Sequence, residues 1–154
     1  MALHDVKSAI LEIVNESVVK HSAQVIDLAV HGKQNKVLVE IFIDTEGGVH
    51  TDMCAEISRD VARMIENGNL IDRPFDLVVS SPGVDRPLTF PWQYKKHIGR
   101  RLRVKAGSDR GLQEIDGRLI GLSETGVTLE LGKNNESVLI PFGAIEEAIV
   151  KVPW

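Results

Sequence analysis

The sequence contains very little of what builds disulfide frameworks, membrane spans or secretion signals. It has one cysteine, Cys54, which excludes an internal disulfide and the common zinc-cluster spacings. No apolar run is long enough to span a bilayer, because the longest candidate, residues 37–43, is interrupted by Glu40. Residues 1–5 lack the basic and then apolar pattern of a secretory signal. We therefore expect a cytoplasmic protein with no membrane partner.

Side chains that bind metals are present, but not in the spacings that a metal site needs. The five histidines are scattered: His4, His21, His31, His50 and His97. Residues 44–48 begin like a calcium loop, but Val49 and Ala55 occupy the positions of its glycine and its bidentate glutamate. We expect no metal and no cofactor.

Cys54 is the residue that supports an enzymatic alternative. His50 lies four residues earlier, so a helix that began by His50 would bring the two side chains together. However, Cys54 falls in the same helical stripe as Ile57 and Val61, and free cysteine is commonly a small buried hydrophobic residue. No base with an orienting partner accompanies it. We expect no catalytic residue, and a thiol-dependent enzyme is the alternative.

The net charge of −4 conceals an uneven distribution along the chain. Residues 1–88 hold eight Lys/Arg and fourteen Asp/Glu, whereas residues 89–154 hold ten and eight. Residues 95–110 hold seven basic side chains and one acid, Asp109. This pattern suits a protein that meets both basic and acidic partners, although solvated faces alone would also account for it.

The first half of the chain alternates helical and strand patterns. Val6, Ile10, Ile13 and Val14 recur at helical spacing, and strands are predicted over residues 24–30 and 37–44 with a polar hairpin between them. A second helix is predicted from a cap at Thr51 or Asp52 to Gly68, followed by a buried strand at 75–79. The order helix–strand–strand–helix–strand predicts a mixed sheet covered by two helices.

The second half shows short strand patterns separated by glycines, and no helical period. Five strands are predicted, over residues 100–106, 113–122, 127–131, 137–140 and 147–152. Five short strands in so few residues favour a small closed barrel, because closure removes exposed strand edges. The sequence therefore predicts an α+β protein with two domains, residues 1–86 and 87–154.

The first strand of the second half carries a basic face. Strand alternation places Leu102, Val104 and Ala106 on one side and Arg101, Arg103 and Lys105 on the other. The apolar side must turn inward, so the cations are expected along one exposed edge, where they favour a polyanion such as rRNA. The candidate binding residues are Lys95, Lys96, Arg100, Arg101, Arg103 and Lys105. Trp92 and Tyr94 beside them could stack on a base, although packing at the base of the barrel is preferred.

The segment between the halves is stiff. Pro82 and Gly83 suit the second and third positions of a type II turn, and Pro87 restricts Arg86 to an extended conformation. Arg86 and Asp85 could form a recognition surface or could pair to fix the interdomain angle, which is the preferred reading. The candidate junction residues are Ser80, Ser81, Pro82, Gly83, Asp85, Arg86 and Pro87.

This junction resembles the signature of the RimP family of bacterial small-subunit ribosome maturation factors, in which a strand enters Ser-Ser-Pro-Gly and then Leu/Val, Asp/Glu and Arg-Pro-Leu. Residues 44–49, Cys54, Ser58-Arg59, residues 94–99 and Gly117 also match that family's pattern. Val78, Lys96 and His97 depart from it, so the resemblance assigns these side chains no role. It implies an N-terminal α/β domain, a C-terminal Sm/SH3-like β-barrel, and contact with a ribosomal protein near the decoding region.

The expected function is therefore assistance in assembly of the small (30S) ribosomal subunit. The protein would act as a monomer that binds the precursor particle, its rRNA and a ribosomal protein transiently, without catalysis. A general Sm-like RNA-binding regulator is the nearest alternative, since it would also bind a polyanion. A thiol-dependent enzyme that uses Cys54 is the alternative from a different class.

Overall fold

The chain folds into two compact units, Met1–Pro82 and Gly83–Trp154. The computed structural model describes residues 3–83, 86–132 and 134–151. The two units divide within the junction segment, and the domain ranges predicted from the sequence place the division four residues later. The fold class predicted from the sequence, α+β, is confirmed.

The first unit is a three-stranded sheet with two helices. Its elements are α1 (Leu3–Val19), β1 (Gln24–Lys33), β2 (Lys36–Asp44), α2 (Thr51–Asn67) and β3 (Phe75–Ser80). The sheet order is β1-β2-β3, in which β1 and β2 form an antiparallel hairpin and β3 runs parallel to β2. The predicted order of helices and strands is confirmed.

The core of this unit lies between the helices and one face of the sheet. Alternate residues of β2 are fully buried, and Val39, Ile41 and Ile43 are each 0% exposed. The helices meet them with residues at three- and four-residue spacing, which share one helical face: Val6, Ile10 and Val14 on α1, and Ile57, Val61 and Ile65 on α2. The periodicity in the sequence therefore identified this core.

Two local predictions for the first unit are wrong. β3 is an edge strand rather than a buried one, because Asp76 and Val78 are exposed on the sheet face that the helices do not cover. The N-cap of α2 is His50, which makes no side-chain capping hydrogen bond, so neither Thr51 nor Asp52 caps the helix. Gly68 ends α2 as predicted, and its N–H donates to the carbonyl of Met64.

The second unit begins with a 3-10 helix, Pro91–His97, and continues as a sheet. Its strands are β4 (Arg101–Ser108), β5 (Gly111–Leu122), β6 (Gly126–Leu131), β7 (Glu136–Pro141) and β8 (Ile145–Val150), with a second 3-10 helix, Phe142–Ala144, before β8. Every pairing is antiparallel, and the order is β7-β6-β5-β4-β8. The five predicted strands are confirmed, and closure of the sheet into a barrel stays a prediction.

One sheet face of the second unit forms its core. The fully buried side chains include Leu102, Val104, Leu119, Val127 and Leu129. Gly117 of β5 faces this core, where a Cβ atom would lie 2.9 Å from the carbonyl oxygen of Glu130 and 3.0 Å from the Cβ of Leu129. Glycine is required at this position because the space for any side chain is already occupied.

Candidate nucleic-acid interface

The basic strand predicted from the sequence is β4, and its alternation is confirmed. Leu102, Val104 and Ala106 are buried, whereas Arg101, Arg103 and Lys105 are exposed. The pleat of the strand produces this separation, since successive side chains point to opposite faces. The three cations therefore share the outer face of the sheet.

The position of β4 within the sheet differs from the prediction. β4 pairs with β5 on one side and with β8 on the other, so it is a central strand and the cations lie on a face rather than along an edge. Their neighbours across the strands, about 4.8 Å away, therefore determine the charge that a partner meets. These neighbours are far away in the sequence.

The outer face has three rows of side chains that cross β5, β4 and β8. In the first row, Arg101 is the Cα partner of Arg118 on β5. On the other side the N–H of Lys151 donates to the carbonyl of Arg101 over 2.9 Å, which continues the pairing past the end of β8. Arg118, Arg101 and Lys151 thus bring three cations into one row.

The other two rows contain acids. The second row aligns Asp116, Arg103 and Ile149, and the third aligns Glu114, Lys105 and Glu147. Counted over these three strands, the net charge changes from +3 through zero to −1, and Glu130 beside Arg118 on β6 lowers the first row to +2. Rows on one face of a strand are about 7 Å apart, so this change occurs over roughly 14 Å. The face is therefore basic at its first row and acidic at its third.

Ion pairs connect several of these side chains. Arg103 Nε lies 3.1 Å from Glu114 Oε1, and Lys151 Nζ lies 3.4 Å from Asp116 Oδ1. Arg118 Nη2 lies 2.9 Å from Oε1 of Glu130, its Cα partner on β6. Among the described residues, Arg101 and Lys105 have no carboxylate within 4.0 Å. Arg101, in the basic row, is therefore the most available cation for an incoming anion.

The 3-10 helix brings further cations close to the first row. Lys95 and Lys96 are exposed in its last turn, and Arg100 is exposed directly before β4. Two hydrogen bonds to Leu119 attach this segment to β5. The N–H of Gly99 donates to the carbonyl of Leu119 over 2.7 Å, and the N–H of Leu119 donates to the carbonyl of Arg100 over 2.8 Å. Since Leu119 follows Arg118, the segment is held next to the first row.

Gln93 fixes the start of that helix. Its side chain is 1% exposed, and its Oε1 accepts hydrogen bonds from Thr89 N at 2.8 Å and Phe90 N at 2.9 Å. These two backbone groups would otherwise be unsatisfied at the helix start. Sequence reasoning missed Gln93, although its position three residues after Phe90 matches that of a capping-box glutamine.

The aromatic residues near the cations differ in their surroundings. Tyr94 is 3% exposed, its ring centroid lies 5.7 Å from that of Phe142, and burial raises its pKa to about 12. Trp92 is half-buried and stacks on Phe90, with ring centroids 5.6 Å apart and planes at 8°. Tyr94 is therefore a core residue, as preferred from the sequence, and one face of Trp92 is already covered.

The family model described as the RimP N-terminal domain matches residues 13–85. Residues 13–85 of this chain therefore form a RimP N-terminal domain. RimP proteins are ribosome maturation factors that act in assembly and not as enzymes. The match extends from within α1 into the junction, so it includes Cys54 and residues 80–85 of the junction segment.

The junction contains the predicted backbone conformation at one residue. Gly83 has φ +70°, the left-handed conformation that was expected of it, and a Cβ atom there would meet nothing within 4 Å. Ser80, Pro82 and Arg86 are half-buried, and Ser81 and Pro87 are exposed. Asp85 lies outside the described residues, so the Asp85–Arg86 pair stays a prediction.

Cys54 lies against the core of the RimP N-terminal domain. Its side chain is half-buried and packs on the hydrophobic cluster, and burial raises the pKa of its thiol. A nucleophilic cysteine needs a lowered pKa, so this environment acts against thiolate chemistry. The described residues contain no group of three His, Cys, Asp or Glu side chains that could hold a metal ion, and no described helix is long and apolar enough to cross a membrane.

The cations that the sequence did not identify are Arg118 and Lys151. Both lie in the first row with Arg101, but they are 17 and 50 residues away from it in the sequence. Only the register between strands brings them together, and a linear charge count gives no sign of it. The use of Arg101, Arg103, Lys105 and the 3-10 helix lysines as a partner surface stays a prediction.

Proposed function

We propose that the protein assists assembly of the small (30S) ribosomal subunit in the cytoplasm. It binds the immature particle transiently as a monomer, contacts rRNA and a ribosomal protein near the decoding region, and then dissociates. Binding alone is sufficient for this role, because a bound factor stabilises whichever arrangement of rRNA and protein it prefers. The observation that carries the proposal is the RimP N-terminal domain at residues 13–85.

The second unit supplies the rRNA contact in this proposal. Arg118, Arg101 and Lys151 lie in one row, with Lys95, Lys96 and Arg100 held nearby through Leu119. A group of cations that approaches a nucleic-acid backbone displaces condensed counterions, and this displacement contributes most of the sequence-independent affinity. The first row is the centre of the proposed contact, and Arg103 and Lys105 lie at its margin.

We further propose that the sheet of the second unit is a small Sm-like barrel. β5 is twelve residues long and its pairing register with β6 shifts between Leu119 and Gly121, which suits a strand that bends from one side of a barrel to the other. β4 lies between β5 and β8, and the inward residues of all three strands are buried together. Cross-strand nuclear Overhauser effects between β7 and β8 would test closure.

The first unit supplies the protein contact in this proposal. Residues 1–82 carry thirteen acidic and seven basic side chains. A surface with excess negative charge attracts and orients basic proteins, and proteins that bind rRNA are commonly basic. The two units would therefore recognise the two components of the same particle.

Sedimentation of cell extract through a sucrose gradient tests the proposed function. The protein should migrate with free small subunits and their precursors, and it should be absent from translating ribosomes. Cells that lack the protein should accumulate immature small subunits. If the protein instead migrates with isolated RNA and small-subunit maturation is normal without it, a general RNA-binding regulator is the better description.

A further inference from the structure

The outer edge of β3 is open. β3 is the last strand in the order β1-β2-β3, and within the described residues no helix or strand pairs with its far side. An open edge carries a line of unsatisfied backbone donors and acceptors, which can pair with an extended segment of another chain.

The register identifies which backbone groups are unsatisfied. β3 runs parallel to β2, Val37 is the partner of Phe75, and the N–H of Val37 donates to the carbonyl of Pro74 over 3.0 Å. In a parallel ladder, alternate residues bond to the same neighbour, so Asp76 and Val78 use their amides toward β2. Phe75, Leu77 and Val79 therefore direct their N–H and C=O groups away from the sheet.

A groove lies beside this edge. It has a volume of about 860 Å³ and lies between the second half of α2 and β3. Ile71, Phe75 and Leu77 provide apolar lining, and Glu66, Asp72 and Asp76 provide carboxylates. A strand added to β3 would insert alternate side chains into this groove, since successive residues point to opposite faces.

The charges of the groove restrict what can occupy it. Its three carboxylates outnumber its one cation, Arg73, whose Nε lies 3.8 Å from Asp72 Oδ1. Asp76 forms an ion pair with Lys36 of β2 at 2.8 Å. A second copy of this chain that paired edge to edge would bring two such sets of carboxylates together, which is unfavourable. A cationic segment meets opposite charge instead.

We propose that the β3 edge and the adjoining groove bind an extended protein segment in which basic and apolar residues alternate. The segment adds a fourth strand next to β3, through the outward amides of Phe75, Leu77 and Val79. Its cations enter the groove and contact Glu66 and Asp72, and its apolar side chains lie on the opposite face of the sheet beside the exposed Val78. This inference deepens the proposed function, since it specifies how the first unit holds a basic protein partner.

The test is amide hydrogen exchange by NMR on the full chain, with the peptide Ac-KVKVKVK-amide as the probe. The N–H groups of Phe75, Leu77 and Val79 should exchange rapidly in the free protein and slow at least about tenfold when the peptide is saturating. Asp76 and Val78 are internal controls, because their amides already bond to β2. Peptide-dependent protection at a different site, or no binding, would overturn the proposal.

A second peptide separates strand pairing from simple charge attraction. The same peptide with every backbone nitrogen methylated keeps its charges and side chains but has no N–H to donate, and it should bind at least about tenfold more weakly. Equal binding of the two peptides would contradict strand addition. Protection of the same three amides that depends on protein concentration, without peptide, would identify a second copy as the occupant and would also overturn the proposal.

Matched variants test whether the carboxylates of the groove contribute to peptide binding. Glu66→Gln with Asp72→Asn removes two carboxylates from the groove, whereas Glu12→Gln with Glu16→Gln removes two exposed carboxylates from α1. The first pair should weaken peptide binding several-fold and the second should leave it unchanged; equal effects would mean that only net charge matters. These measurements use the isolated protein, so their failure would leave the sedimentation test of small-subunit binding unaffected.

Discussion

Arg101 and Arg118 are direct Cα partners in the ladder between β4 and β5, so two guanidinium groups of like charge share one row of the sheet. Like charges directly opposite each other on neighbouring strands destabilise a sheet. Arg118 has a carboxylate partner, since Glu130 lies 2.9 Å away, whereas Arg101 has none within the described residues. The proposed rRNA contact would place an anion beside this pair and would offset the repulsion.

The first prediction compares two exposed cations of β4. Arg101→Gln should weaken association with small-subunit particles and should reduce the slope of log affinity against log salt by roughly 0.7–0.9, as expected for one lost phosphate contact. Lys105→Gln should have a smaller effect. Its Cα partners on the neighbouring strands are Glu114 and Glu147, whose negative charges repel a phosphate. The measurement is binding to purified particles across a salt series.

Stability provides the control for this comparison. Arg101→Gln removes a repulsion with Arg118, so the melting temperature of the second unit should stay the same or rise slightly. A variant that binds weakly because it has unfolded would melt earlier. If Arg101→Gln and Lys105→Gln change the salt slope equally, the row arrangement has no bearing on binding.

The second prediction concerns two glycines of β5. Gly117→Ala should destabilise the second unit by about 1–3 kcal/mol, because the new methyl group overlaps the backbone of Glu130 and the side chain of Leu129. Gly121→Ala is the matched control, since its Cβ would lie 3.5 Å from the Cβ of Thr128, an ordinary contact distance. Chemical denaturation should give a lower midpoint for the first variant only; equal midpoints would refute the close approach at Gly117.

The third prediction concerns Gly83. A valine there would be forced to φ +70°, which costs on the order of 1–3 kcal/mol for a β-branched residue. Because Gly83 lies at the division between the units, Gly83→Val should impair small-subunit binding while each unit still melts cooperatively. Gly83→Asn is the control, since asparagine tolerates positive φ and should retain binding. Equal binding by both variants would show that the conformation of Gly83 is not required.

The fourth prediction is a loss of stability at high pH that depends on Tyr94. Burial raises the pKa of its phenol from 10.0 to about 12, so between these pH values the unfolded chain loses the proton and the folded chain keeps it. The unfolded state then binds fewer protons, and the free energy of unfolding falls as pH rises above about 10. Tyr94→Phe should reduce this fall, as measured by denaturation at pH 8 to 11.5. A parallel fall in both proteins would assign it to other groups.

Much of the fold follows from residue periodicity. The apolar stripes of α1 and α2 and the alternation in β4 depend on neighbours within one element, and the structure has them where the sequence predicts. The burial of β3 was predicted incorrectly, because a mostly apolar strand reads the same at the centre of a sheet as at its edge. Which strand lies next to it depends on the whole topology.

The candidate site likewise combines features that a single strand determines with features that depend on several strands. Exposure of Arg101, Arg103 and Lys105 follows from the pleat of a single strand, and it was predicted. The acids at positions 114, 116 and 147 were equally visible in the sequence, but their positions beside these cations depend on the register of β5 and β8. The register of β5 is set by the turn at Asp109 and Arg110, and that of β8 by long-range packing, so the change in charge from one row to the next could not be read from the chain.

The change in charge along the outer face has a consequence for how the second unit approaches a partner. A net charge of +2 in the first row with Glu130 counted, and of −1 in the third, separated by roughly 14 Å, amounts to an electric dipole fixed in the sheet. In the field of a polyanion such a dipole experiences a torque before any contact forms, and the torque turns the Arg101 row toward the anion. Salt shortens the range of that field to about 8 Å at physiological ionic strength. The face would therefore contribute to the orientation of each encounter with a polyanion as well as to its strength, and misoriented collisions would become rarer as salt is lowered.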